Sequence, residues 1–563
     1  MKLFFISIFI FLCSFLHAAD IAVVKPHSSC EASSVGYASS LGDNVVRWLN
    51  KGGIECDVLD ERNMRTSIFS KKLIFVFLCS KLNPSQVSLL KRYLASGGKI
   101  CSFYGESPEL ATLLGVTTPK YVQGSFSKMV FQKGALSGSP KEITQDCSGF
   151  FYSLPQKAAG AVAAYWKGSS SYPALIKLKH GWWFTGILKG KGDELRKEQL
   201  MLAIVDSLLP GRWKRSQWVC NKNQAIASTR AIALRQLPRK GEIHGVWDHS
   251  GEGLYPGDWP RTIQTLKRYG ITDLFLNVAG AGFAHYNSKI LPRSSVFVKR
   301  GDQLSQCINA ARGSGIKVHA WVLCFSSVRA SSTAKADLAK KGWLLKNSKG
   351  LHIDYLDASN PMVQKYLLDA IGEIKNNYAV DGVHLDFVRW SEAQQSVTAT
   401  PAVMARYNKE KSKFQNVFWA WKEYVIRKFV YSARIKVKEG MKRKVCFSVA
   451  VLPLYPSCVK SVGQNWIEWM DKGYVDYIVP MNYSQDLKKY SQMLQVQTST
   501  PERAKKVISG IGVTANESRL NAVDVINEIN KTRQYGAAGV VLFDLNPTLT
   551  SEILPMLSLG LFR

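Results

Sequence analysis

From residue 241 onward the chain repeats one pattern eight times. The runs EIHGVWD, ITDLFLNV, IKVHAWVLCF, VDGVHLDFV, VCFSVAVLP, VDYIVPMNY, KVISGIGVT and AAGVVLFDL are short and rich in Val, Ile, Leu and Phe, and room for a helix separates each from the next. Eight strand–helix units in order predict a closed (β/α)8 barrel over 241–563. That block exceeds the ~250 residues usual for the architecture. The surplus falls after the third strand (325–360) and after the fourth (391–412). Both places follow C-terminal strand ends, where barrels build their sites.

The fourth run continues as DGVHLDFVRW. Side chains alternate along a strand, so Val383, Leu385 and Phe387 face the helices while His384 and Asp386 face the barrel interior. A buried carboxylate is costly unless it is paired or hydrogen-bonded. Arg389, one step on, is the expected partner, and an opposite charge at contact distance keeps an Asp ionised. The same parity puts Asp248, Asn277, His319, Trp321, Asn482, Tyr483 and Asp544 at or near the ends of other strands, with Asp486 just beyond the sixth. Carboxylates, amides, imidazoles and flat aromatics on one rim predict a polar pocket. Trp247, Phe283, Trp343 and Trp390 are further candidates for stacking on sugar rings.

The first part of the chain reads differently. Residues 21–117 alternate strand-like runs (IAVVKPH, IECDVLDE, KKLIFVFLCS, KICSFYG) with helical ones, which predicts a doubly wound, flavodoxin-like α/β domain over 20–210. Residues 118–190 carry only short strand-like pieces, and EQLMLAIVDSLLP reads as a closing helix. Residues 211–240 are basic and weakly patterned, as in a linker.

The N-terminus, MKLFFISIFIFLCSFLHAAD, has a positive start, an apolar run and Ala18-Ala19 before Asp20. This is the pattern of a secretory signal peptide over 1–19 and implies export to the periplasm or cell envelope. Net charge is +32 over the full sequence, and one less without Lys2. For an exported chain such a charge points to an anionic wall or membrane surface; nucleic acid is not an expected partner. Between Arg406 and Lys444 thirteen Lys and Arg face three Glu, with Phe414, Phe418, Trp421, Val425 and Phe429 at helical spacing. An amphipathic helix over about 406–439 follows. Beyond Cys13, ten cysteines are scattered without C-x-x-C or Cys/His spacing. No zinc site, other metal or organic cofactor is expected.

GVHLDFVRW resembles the G-[IV]-H-x-D-x-x-R-[YW] signature of the glycoside-hydrolase-like family 10 barrels. GIKVHAWVL, YLDASNPMVQKYLLDAIGEI, WIEWMDKGYVDYIVPMNYSQD and GAAGVVLFDL resemble further blocks of that family in the same order. The resemblance implies a secreted hydrolase acting on peptidoglycan or a related envelope glycan. It implies that Asp386 is the strand-four acid, with His384 and Arg389 beside it. His319 and Trp321 match the strand-three pocket, and Asn482 and Tyr483 the strand-six pair. The last strand departs, with Asp544 where the family has a small polar residue. Glycoside hydrolysis uses two carboxylates, one ionised and one protonated. Asp386 is read as the ionised one, and the acid is sought first in Asp486, then Asp544, then Asp248. The first domain resembles the class I glutamine-amidotransferase-like appendages of secreted hydrolases. Cys101 there lacks G-x-C-x-G and is read as structural, which leaves the domain a structural or carbohydrate-docking role. The competing expectation is a non-catalytic glycan-binding or scaffold protein on a degenerate barrel.

Overall fold

The computed structural model describes residues 19–156, 159–168, 170–190, 193–392, 400–440 and 444–563. Residues 1–18 of the expected signal peptide, and 393–399 of the expected long loop, lie outside the described residues. The chain divides into two compact units, Met1–Gln224 and Ala225–Arg563.

The first unit begins as the alternation predicts. Strands β1 (Ile21–Lys25), β2 (Asp57–Asp60), β3 (Leu73–Phe77) and β4 (Lys99–Phe103) are parallel. Helix Pro84–Ala95 starts on a reciprocal cap between Asn83 and Gln86 with Pro84 in its first turn. The stretch read as short pieces forms five strands: β5 (Lys120–Phe131), β6 (Glu142–Tyr152), β7 (Gly160–Gly168), β8 (Ser171–Leu178) and β9 (Gly181–Phe184). They pair antiparallel among themselves, and β9 joins β4 in parallel, giving one mixed sheet in the order β2-β1-β3-β4-β9-β8-β7-β5-β6. Doubly wound therefore describes only its first part. Cys101 is fully buried in this sheet, and burial holds its thiol protonated. After β1 the backbone N–H groups of His27, Ser28 and Ser29 converge on one acceptor, the Glu61 carboxylate, which also takes the Ser29 hydroxyl at 3.1 Å. The supposed linker contains a 20-residue helix, Arg215–Leu234.

In the second unit all eight expected strands form. They are β10 (Ile243–Asp248), β11 (Asp273–Gly280), β13 (Lys317–Leu323), β16 (Gly382–Asp386), β17 (Cys446–Val451), β18 (Tyr477–Pro480), β19 (Ile508–Gly512) and β20 (Gly539–Phe543). Neighbours are parallel in the order β18-β17-β16-β13-β11-β10-β20-β19. Single bridges Ile478–Val507 and Met481–Gly510 link β18 to the β19 side, so the barrel is nearly closed. The long segment after β13 carries the antiparallel pair β14 (Leu344–Lys346) and β15 (His352–Leu356), and β12 (Phe283–Ala284) folds back on β11.

Outward side chains such as Val383, Leu385, Val318 and Val322 pack on the helices in one large core. Burying each such side chain contributes ~1.5–3 kcal/mol. The interior is plugged by a separate cluster that includes Trp247, Phe275, Trp321, Leu323, Val479 and Ile508. Register explains a glycine here. Gly382 lies opposite His319, and a Cβ on it would meet His319 Nδ1 at 2.1 Å.

The basic stretch after β16 is not one helix. Pro401–Glu410 and Phe418–Lys438 are separated by a tight turn at Lys411–Phe414, with Gln415 and Asn416 at positive φ. Trp421, Val425 and Phe429 nonetheless face the core, as their spacing predicts.

Candidate active site

Strand parity holds along β16 to Asp386 and then breaks. Phe387 has φ 52°, a left-handed conformation that a bulky side chain adopts at a cost of ~1–3 kcal/mol. The turn brings the Phe387 ring back against the interior cluster and leaves Asp386 at the C-terminal mouth. Asp386 is 5% exposed and accepts the Phe387 N–H at 2.6 Å. Burial raises its pKa above the ordinary carboxylate range; the Arg389 charge, the Phe387 N–H and the Trp321 indole oppose this without cancelling it.

The expected Asp386–Arg389 ion pair is absent. Arg389 pairs instead with Glu392 at 2.9 Å and lays its guanidinium over the Phe387 ring at 4.5 Å. Its Nε and Nη1 are buried without a hydrogen-bond partner. The Arg389 charge still acts on Asp386, beyond ion-pair contact. Asp386 therefore fits the proton-carrying role better than the ionised one assigned from sequence.

Tyr483 belongs to the same pocket. It stacks on Phe543 at 5.5 Å, and after burial the charges of Asp386 and Asp544 raise its pKa further. Asp544, half-buried after β20, accepts the Thr514 hydroxyl at 2.5 Å and the Asn546 amide at 2.7 Å. Asp386, Trp321, Arg389, Tyr483 and Asp544 are thus gathered around the mouth. Asn277 lines it from β11, accepting from Arg329 at 2.5 Å. His249 sits over Trp321 at 5.8 Å and is exposed.

Other sequence candidates lie elsewhere. Asp486 is exposed and caps helix Leu487–Gln497, accepting from Lys488 and Lys489 backbone N–H; it is not a buried acid. Asp248 is buried, but its oxygens are taken by Ser250, Gly251 and Gly253, so it organises the loop after β10. His384 is fully buried mid-barrel, and burial lowers its pKa well below the ordinary value. His319 bonds Asp273 at 2.8 Å, in the N-terminal half of the barrel. Asn482 exchanges two hydrogen bonds with Gln497 and donates a third to Ser509. Trp390 packs outside the barrel on Trp421 and donates to the Lys422 carbonyl. Trp343 packs on Tyr366, and Trp247 and Phe283 belong to the interior plug.

Two pocket residues escape a strand-end reading because they sit in the long segment after β13. Arg329 bridges Asn277 to the His249 and Ser250 carbonyls and lies over Phe283. Tyr355 stands beside Phe387 at 6.1 Å and within electrostatic reach of Arg389 and Asp386. The only sequence signal for them was the excess length of that loop.

Residues 243–523 match the family model described as glycosyl hydrolase-like 10. The glycosyl hydrolase DigH of Escherichia coli K12 is 24% identical over 255 residues, covering 39% of this chain and 56% of the relative. The match spans little more than half of that relative's length. Among solved structures, the glycoside hydrolase domain of PgaB (BpsB) from Bordetella bronchiseptica has a TM-score of 0.42 at 12% identity, covering 54% of this chain and 93% of that one. The catalytic domain of a β-amylase from Paenibacillus polymyxa gives 0.39 at 11%, covering 55% and 93%.

Proposed function

We propose that this chain is an exported glycoside hydrolase that cleaves peptidoglycan or a related cell-envelope glycan. The observation that carries the reading is Asp386: a buried carboxyl with raised pKa at a barrel strand end, beside the Trp321 indole and near buried Arg389 N–H groups that lack a hydrogen-bond partner. A carboxyl whose pKa burial raises is suited to donate to the glycosidic oxygen as the bond to the anomeric carbon breaks. Asp544, across Tyr483 and held by Thr514 and Asn546, is the second carboxylate. It stabilises the oxocarbenium-like charge, or attacks it, or activates water. Trp321, Tyr483 and Phe543 offer flat apolar faces to sugar rings. The envelope substrate rests on the family resemblance and on the +32 charge, and export rests on the N-terminal signal pattern. The first domain, like the amidotransferase-like appendages it resembles, serves docking or support.

The test is glycan release. Chain lacking the signal is incubated with purified peptidoglycan, native and de-N-acetylated, and new reducing ends are read by mass spectrometry. Release by wild type and its loss in Asp386→Asn and Asp544→Asn is the expected result. Equal release by all three overturns the site. Retained binding with no release from any of them makes the barrel a glycan-binding module.

A further inference from the structure

The barrel has a second opening, at the end opposite Asp386. A cavity of about 870 Å³ lies there, within the ~300–1,000 Å³ typical of ligand sites. Its wall includes the first residues of six strands: Ile243, Asp273, Lys317, Cys446, Tyr477 and Ile508. In barrels this face ordinarily serves stability, and a stability face gains nothing from concentrated like charge.

Yet Lys317, Arg434, Lys438, Lys444, Lys505 and Lys506 all line the cavity. Three carboxylates oppose them, and each is already engaged. Asp273 bonds His319 and Thr272, Asp381 accepts the Val318 N–H, and Asp476 takes Lys438 and the Phe447 N–H. Lys506 donates to the Met470 carbonyl. Among the described residues Arg434, Lys444 and Lys505 have no ion-pair partner, while the Lys317 charge acts on the Asp273 carboxylate. Arg434 is half-buried at the wall, where an unpaired guanidinium costs more than on open surface.

We infer that this basal cavity is a binding site for a phosphate-bearing anion. Lysines act as point charges on phosphate oxygens from several directions, and an Arg fork adds paired N–H donors. The chemistry is shared by a soluble phosphorylated molecule and by a phospholipid headgroup.

Isothermal titration of the full chain with inorganic tripolyphosphate tests it. Binding is expected, and Arg434→Glu and Lys505→Glu should each weaken it about tenfold. Lys349→Glu, the same charge change in the turn between β14 and β15, should leave it unaltered. Co-sedimentation with phosphatidylcholine vesicles, with and without phosphatidylglycerol, identifies the source. Capture by the anionic vesicles that Lys505→Glu abolishes supports the site and points to a headgroup. Tripolyphosphate binding alone supports it and points to a soluble ligand. Absence of both, or equal weakening by Lys349→Glu, overturns the site. Lys505 is exposed, so its variant keeps the test meaningful if Arg434→Glu misfolds.

Discussion

Across the barrel interior the Trp247 indole N–H donates to His384 Nε2 at 3.1 Å. Indole can only donate, so Nε2 must accept, and the proton of a neutral ring sits on Nδ1, facing the Ser448 hydroxyl at 2.9 Å. His384 is thereby locked neutral beneath the mouth, as scaffold for Asp386. His384→Ala should cost about 2–5 kcal/mol, from the cavity and two orphaned donors or acceptors. Chemical denaturation checks this. Because its folded pKa is depressed, its contribution is present above an unfolded value of ~6.5 and fades as pH falls below it.

Asp386 makes the opposite trade. Its folded pKa is raised, so ionisation penalises the fold as pH climbs above the unfolded value of ~3.9. Asp386→Asn should abolish glycan release by ~10²–10⁴-fold and raise Tm at pH 7. That gain should disappear near pH 3. A lower Tm at pH 7 would contradict the burial argument.

Asp486 and Asp544 separate under mutation. Asp486→Ala removes a helix cap and should cost ~0.5–2 kcal/mol while sparing activity. Asp544→Asn should do the reverse, with little change in Tm and loss of turnover. Parallel melting curves and reducing-end assays on both variants give the answer.

Glu528, on helix Ala522–Gln534, is a buried acid outside the site. Burial, with Asp524 adding to it, raises its pKa to about 9, and Oε2 has no hydrogen-bond partner. Between the unfolded value of ~4.3 and about 9 the fold holds a proton that the unfolded chain has released, so stability falls as pH rises through that window. Glu528→Gln should therefore melt higher than wild type at pH 8 and equally at pH 4. Thermal scans at the two pH values decide it.

The barrel was legible because each strand is a compact apolar run, and all eight are present. Pocket membership was only partly legible. Parity told which side chains point inward along β16, but not how far down the barrel each lies. His319 and His384 point inward as read, yet sit below the mouth. Phe387 takes a positive φ and Arg389 pairs with Glu392, and no residue pattern announces either. Asp486 and Asp248 show why an acid near a strand end is ambiguous: capping a helix and tying a loop need the same side chain as catalysis. Arg329 and Tyr355 arrive from a long loop whose path depends on tertiary packing. The antiparallel half of the first sheet was missed because its strands mix Gly, Ser and Lys with aromatics, which dilutes the alternation.

The plug of Trp247, Phe275, Trp321 and their neighbours acts as an insulator. Solute does not thread a packed barrel, so the two ends share no solvent. Salt that screens the lysines at the base should leave proton transfer at Asp386 unchanged. The proposed hydrolytic site and the proposed anion site are two terminals of one cylinder, wired separately.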